Sequence, residues 1–259
     1  MAARRGSLHV ALAGGTRGMG RALARELVAR GHRVALLGRD AEQLQRSGAD
    51  LAARAVSPTR VPAAELDLLR PETFGPALDA ADAAFREEGG SGLDTVILTA
   101  AEFATQDQLE ADPDRLQRLL AAAFTNSILF CEDARRRLLA RGGGTLCVFA
   151  SVAGDRARKP STLYGAAKAG LAYYLDGLDL RYGSASFRVI VVKPGFIRTG
   201  MTQGLPEPPF AADPEPVARR VADAVERGRH GVLYAPPVWR LIMAVIRRLP
   251  RAVMRRARF

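Results

Sequence analysis

The run Leu8-His9-Val10-Ala11-Leu12-Ala13, followed at once by Gly14-Gly15-Thr16-Arg17-Gly18-Met19-Gly20, constrains this chain most. Six mostly apolar residues in a row read as a strand buried on both faces. The next patterned stretch, Gly18 to about Arg30, reads as a helix. A strand that must become a helix within a few residues needs glycine where the backbone turns tightly. The spacing Gly-x3-Gly-x-Gly also lets backbone approach a pyrophosphate, which the helix N-terminus then stabilises. It differs from the six-residue dinucleotide fingerprint, and a plain glycine-rich turn would look the same.

The alternation continues to the end of the chain. Strands are expected at Arg33–Leu37, Thr59–Ala64, Thr95–Leu98, Gly144–Ala150, Phe187–Val192 and Gly231–Tyr234. Helices are expected near Ala41–Arg54, Pro71–Glu87, Pro113–Ala140, Thr162–Tyr182 and Pro214–Arg227. Strands alternating with helices imply a parallel sheet covered on both faces. The expected architecture is α/β: a doubly wound, seven-stranded parallel sheet of Rossmann type in one domain, residues 1–237. A basic amphipathic extension, 238–259, follows it. The stretch Thr199–Pro216 is rich in Pro and Gly, lacks periodicity, and is the best candidate for a mobile loop.

Composition removes several function classes. Two cysteines, Cys131 and Cys147, fit neither a metal spacing nor a disulfide framework, which favours a reducing compartment. His9, His32 and His230 are scattered, so no metal site is expected. The N-terminus lacks the length of a signal peptide before its first apolar run. No stretch is long and apolar enough for a membrane span. The net charge is +11, and residues 238–259 hold seven arginines and no acid, so most of the surplus sits in the tail.

Chemistry is suggested by Tyr164-Gly165-Ala166-Ala167-Lys168, with Ser151 upstream. Positions i and i+4 share a helix face. An ammonium beside a phenol favours its ionised form, so Lys168 is expected to lower the Tyr164 pKa. Such a tyrosine can give a proton to a carbonyl oxygen or take one from an alcohol. The second strand ends Leu37-Gly38-Arg39-Asp40. Arginine there, with Arg17 in the glycine loop, suits a 2′-phosphate and favours NADPH, with NADH the alternative. Both could equally be solvated arginines. Asp67, after the third strand, could meet an adenine amino group or stand as a surface carboxylate.

Together these pieces resemble the short-chain dehydrogenase/reductase family over nearly the whole chain. The resemblance implies a glycine motif at Gly14, Gly18 and Gly20, and catalytic residues Asn126, Ser151, Tyr164 and Lys168. It implies cofactor contacts at Thr16, Arg17, Met19, Arg39, Asp67, Leu68 and Ala100. Further contacts would come from Tyr164, Lys168, Pro194, Gly195, Ile197 and Thr199. The implied mechanism is hydride transfer to a ketone carbon. Tyr164 would protonate the alkoxide, Ser151 would hold the carbonyl oxygen, and Lys168 would tune the tyrosine and bind the nicotinamide ribose. Asn126 would complete the proton path through backbone and water. One departure is Leu98-Thr99-Ala100-Ala101 where the family usually has Asn-Asn-Ala-Gly, which puts local packing of the central sheet in question. A narrower resemblance, carried by Ser151 to Lys159, Tyr164 to Leu171, Tyr234-Ala235-Pro236 and Trp239-Arg240, is to decaprenylphosphoryl-2-keto-erythro-pentose reductase-like enzymes.

In the tail, Trp239, Ile242, Met243, Ile246, Leu249, Val253 and Met254 form an apolar stripe flanked by arginines, with Pro250 expected to break the helix. That pattern suits a peripheral membrane anchor or a terminal helix packed on the core or another subunit. The leading expectation is an NADPH-dependent ketoreductase acting on a polyprenyl-phosphate-linked 2-keto-sugar, cytoplasmic and at the inner membrane face. A soluble ketoreductase of acyl, sphingoid or secondary-metabolite substrates is the first alternative. A non-catalytic NADP(H)-binding sensor is the alternative of another class. No nucleic acid is expected as partner; a homo-oligomer, dimer or tetramer, is expected from the resemblance.

Overall fold

The computed structural model describes residues 6–256. Seven strands alternate with helices: β1 His9–Ala13, α1 Gly18–Ala29, β2 Arg33–Gly38, α2 Ala41–Arg54, β3 Ala63–Glu65, α3 Phe74–Glu87 and β4 Thr95–Leu98. Then come α4 Gln106–Ala111, α5 Pro113–Leu120, α6 Asn126–Ala140, β5 Gly144–Phe149, α7 Thr162–Tyr182 and β6 Phe187–Pro194. The chain ends with α8 Pro214–Glu226, β7 Gly231–Ala235, α9 Val238–Ile246 and α10 Arg251–Arg256. The sheet order is β3-β2-β1-β4-β5-β6-β7, and all pairings are parallel. Order reverses between β1 and β4, the place where open α/β sheets bind ligands beyond the strand ends.

Each central strand is buried on both faces, and alternate residues go to opposite cores. Ala11, Val96, Leu146 and Val189 face a cluster completed by Phe74 and Phe85 of α3, Phe130 of α6 and Leu171 of α7. Val10, Ile97, Cys147 and Ile190 face the other, completed by Leu23 and Leu27 of α1 and Val221 of α8. Burial of each such large side chain stabilises by roughly 1.5–3 kcal/mol. A charged cluster locks α1 to α8. Arg30 donates to Asp223 at 2.7 Å and to Glu226 at 3.0 Å. His32 Nδ1 accepts from the Leu8 N–H, so its Nε2–H donates to Glu226 at 3.0 Å.

Three expectations need correction. The third strand covers Ala63–Glu65, not Thr59–Ala64. Pro58 and Pro62 supply no N–H, and Pro62 contributes only its carbonyl, which accepts from Leu36. The helix expected from Pro113 to Ala140 carries a π-helical segment, Ala121–Thr125, between α5 and α6. Helix α4 was not anticipated; Thr105 and Gln108 close it with a reciprocal cap. Among the described residues, no helix is long and apolar enough to cross a membrane.

Candidate active site

A cleft of about 1230 Å³ runs along the carboxyl ends of the strands. It gathers Gly14, Thr16, Arg17, Gly18, Met19 and Gly20 after β1, Arg39 after β2, Asp67 and Leu68 after β3, and Ala100 after β4. Ser151, Tyr164, Lys168, Pro194, Gly195, Ile197 and Thr199 line its other half. Of the catalytic and cofactor-binding residues expected from sequence, Asn126 alone is outside this lining.

The glycine turn fits a dinucleotide on its own structural terms. Gly14 has φ +89, and a Cβ there would lie 2.6 Å from the Ala100 nitrogen, so only glycine allows β1 and β4 to meet. Arg17 caps α1 with no side-chain hydrogen bond, and the first turn of α1 holds no acid. The leading N–H groups and the positive end of the helix dipole are thus left for an anion. Arg39 is exposed and makes no hydrogen bond or ion pair among the described residues. The neighbouring Asp40 is committed to capping α2 through the Gln43 N–H and lies 3.9 Å from Arg17. Arg39, rather than the acid, is therefore the residue free at the β2 end. Asp67 is partly spent on its own turn: Oδ1 accepts from Leu69 at 2.9 Å and Oδ2 lies 3.7 Å from Arg70.

Thr99 answers the question raised by the missing asparagine. Its backbone N–H and its hydroxyl both donate to the Ala13 carbonyl, at 2.9 and 3.0 Å. The hydroxyl thereby ties the end of β4 to the end of β1, next to the glycine turn. Asn126 lies on the long central helix. It is the first residue of α6, where the π-helical segment returns to α-helix, and its Nδ2 donates to the Leu68 carbonyl at 2.6 Å. Its side chain therefore anchors the cleft-lining backbone after β3.

Ser151 follows β5, and its Oγ accepts from the Ala153 N–H at 3.1 Å. Tyr164, in the first turn of α7, lines the same cleft as Ser151, and the Ser151 side chain favours its ionised form. The expected pairing of Tyr164 with Lys168 is not what governs the phenol here. Burial pushes it up to about 12, and the Ser151 side chain pulls the other way. Lys168 is 1% exposed and donates to the Phe149 carbonyl at 3.0 Å. Burial brings it down to about 8. Sharing a helix face places the two side chains on one side of α7, but the nearest acceptor for the ammonium is the β5 carbonyl beneath it.

Sequence reasoning missed several lining residues. Phe103 packs edge-on against Tyr164, ring centroids 5.1 Å apart. Gln106 of α4 accepts from the Leu163 N–H at 3.0 Å, holding the first turn of α7 in place. Trp239 of α9 covers Gly195, where a Cβ would fall 1.9 Å from the indole nitrogen. The glycine after β6 is thus required by the tail as well as by the cleft. Trp239 and Met243 are buried against Val152. Arg156 donates to the Leu249 carbonyl at 3.1 Å, and Lys159 to that of Arg255 at 2.5 Å. The tail therefore forms a wall of the site. The loop after β6 is irregular as expected, yet Ile197 pairs with Ala212, and Arg198 bridges Glu207 and Asp213. Among the described residues, no group of three or more His, Cys, Asp or Glu side chains is placed to hold a metal ion.

The chain has relatives among known proteins. It is 32% identical over 251 residues to an uncharacterized oxidoreductase of Mycobacterium tuberculosis, covering 97% of each chain. It is 27% identical to carbonyl reductase family member 4 of Xenopus tropicalis, over 83% of this chain and 90% of that one. The crystal structure of a short chain dehydrogenase from Burkholderia cenocepacia in complex with NADP superposes with a TM-score of 0.76 at 27% identity, over 90% of this chain and 97% of that one. The family model for short chain dehydrogenases matches residues 8–209, from the first strand through the loop after β6. With that span and these relatives, the chain belongs to the short-chain dehydrogenase/reductase family of oxidoreductases.

Proposed function

We propose that this oxidoreductase is an NADPH-dependent ketoreductase. The observation that carries the reading is that Ser151, Tyr164 and Lys168 line the carboxyl edge of the sheet in the same cleft as the uncapped start of α1. Bound NADPH supplies the hydride. The chain's own residues do the rest. Ser151 donates to the carbonyl oxygen and stabilises charge as it grows there. Tyr164, kept protonated by burial across the neutral range, delivers its proton to the alkoxide. Lys168, in the same cleft, would hold the nicotinamide ribose. Asn126 acts as a positioning residue through Leu68. The free Arg39 at the β2 end and Arg17 in the glycine loop support the 2′-phosphate, as does the NADP bound by the Burkholderia cenocepacia relative.

The substrate reading that best suits the second half of the sequence is a polyprenyl-phosphate-linked 2-keto-sugar presented at a membrane surface through 238–259. Exposed Leu241 and Val245 on α9, beside the arginines of the tail, support it. A dimer or tetramer is supported by Leu129 of α6 and by Tyr173 and Leu180 of α7, all exposed on the long helices.

The decisive experiment is Tyr164→Phe, read by NADPH oxidation over a panel of ketones together with NADPH binding by fluorescence. The expected outcome is a loss of kcat of about 100-fold or more with binding retained. Equal turnover by the variant overturns the assignment of the acid. Tight NADPH binding by the wild type with no ketone reduced would favour a sensor.

A further inference from the structure

Three buried polar atoms lining the cleft have no hydrogen-bond partner: Nε of Arg158, Oγ of Ser161 and Nε1 of Trp239. Buried polar groups are nearly always satisfied, so an unsatisfied one in a cleft calls for a partner from outside the chain. Arg158 is the most unusual. Its nearest acidic influence is Asp155, but that carboxylate is already held by Lys193 and by the Tyr234 hydroxyl at 2.8 Å. Glu102 and Asp107 share the cleft and form no ion pair with it among the described residues. The flanking cations of the same loop are spent on the tail, Arg156 on Leu249 and Lys159 on Arg255. Burial accordingly weakens the hold of Arg158 on its proton. A half-buried guanidinium with a buried, unpartnered Nε loses hydration, and an anion arriving beside it recovers that cost.

Ser161 adds direction. It is the N-cap residue of α7, a 21-residue helix, yet its side chain caps nothing. A serine at that position ordinarily accepts from the N–H two or three residues on. Here the first-turn Leu163 N–H is served by Gln106 instead, which leaves the hydroxyl to a ligand. The positive end of the helix dipole lies at the same place.

Resting on the ketoreductase reading, we propose that Arg158 and Ser161 at the start of α7 form an anion subsite, completed by the Trp239 indole N–H, so that the ketone reduced here carries a phosphoryl group. A guanidinium and a hydroxyl from one turn, with an indole N–H from α9, suit an oxyanion with several oxygens in three dimensions better than a flat carboxylate. Tyr164 lies three residues from Ser161, so an anion held there also fixes the distance from the phosphoryl group to the carbonyl.

The test uses the full chain saturated with NADP+, so that the cofactor's own phosphate sites are filled. Inorganic phosphate is titrated and Tm is read for the wild type, Arg158→Gln and Arg158→Lys. Phosphate is expected to raise Tm in the wild type, less in Arg158→Lys, and not in Arg158→Gln; an equal rise in all three overturns the subsite. In parallel, kcat/KM is compared for dihydroxyacetone phosphate and dihydroxyacetone. The wild type should prefer the phosphorylated ketone by about tenfold or more, and Arg158→Gln should lose that preference. A preference retained by Arg158→Gln also overturns it. Phosphate binding that depends on Arg158, with no ketone reduced, sinks the ketoreductase reading and keeps the subsite. Competition by farnesyl phosphate against inorganic phosphate separates the sources. Tighter inhibition by the lipid assigns a lipid-linked phosphodiester, and equal inhibition assigns a soluble phosphate ester; both keep the subsite.

Discussion

Lys168 shows how one buried side chain can oppose stability while serving chemistry. Its ammonium sits in the interior with a single carbonyl for company, and burial lowers its pKa from 10.5 to about 8. Between those values the unfolded chain holds the proton that the folded chain releases. Stability therefore rises with pH from about 8 to about 10.5, and the full penalty applies below 8. Lys168→Met should raise Tm at pH 7 and shrink the gain seen on moving to pH 10, while abolishing reduction. Thermal unfolding at the two pH values, with an NADPH-oxidation assay, checks both halves. A Tm lowered at pH 7 would mean that the bond to Phe149 outweighs desolvation. Tyr-x3-Lys made the pair visible in the sequence. The partner that actually holds the ammonium was invisible, because Phe149 contributes only its backbone.

At the scale of elements, what sequence revealed follows the strength of local pattern. Strand β4, Thr95–Leu98, and helix α7, Thr162–Tyr182, carry unbroken apolar runs or long periodicity, and their ends match the reading from sequence. Strand β3 is three residues at the sheet edge with two prolines before it, so pairing with β2 rather than propensity decides where it begins. The π-helical segment before Asn126 leaves no trace in a 3.6-residue pattern. Its consequence is that Asn126 reaches Leu68, which only the tertiary contact reveals. The β1–β4 junction yields a prediction. Thr99, beside Leu98 at the two positions where the family usually has asparagine, joins the two strands through its hydroxyl. Thr99→Val keeps the β-branched shape and removes that bond, while the Ala13 carbonyl retains two backbone donors. Urea unfolding should show a loss of about 1 kcal/mol with an unchanged m-value. No change in midpoint would mean that the backbone bonds alone hold the junction.

For the whole molecule, the tail reconciles two readings that sequence left side by side. Its stripe of apolar residues divides. Trp239 and Met243 are buried on the catalytic body, whereas Leu241, Val245 and Val253 are exposed by 71%, 63% and 46%. One face of α9 thus completes the active site while the other presents apolar side chains amid arginines. Such a surface binds anionic lipid through shallow apolar burial plus roughly 1 kcal/mol per arginine near the headgroups. Removing residues 238–259 would be a poor test, since it uncovers Gly195 and Val152 along with the membrane face. Leu241→Glu with Val245→Glu changes only the exposed side. The full chain should sediment with vesicles containing phosphatidylglycerol and not with neutral phosphatidylcholine vesicles. Binding should weaken as salt shortens the screening length from about 10 Å at 0.1 M towards about 3 Å at 1 M. The double variant should stay in the supernatant with its circular dichroism unaltered. If the wild type never sediments, the exposed face of α9 does not meet a membrane, and its arginines and apolar residues belong to a subunit contact, which sedimentation velocity of the same two proteins would register as a difference in mass.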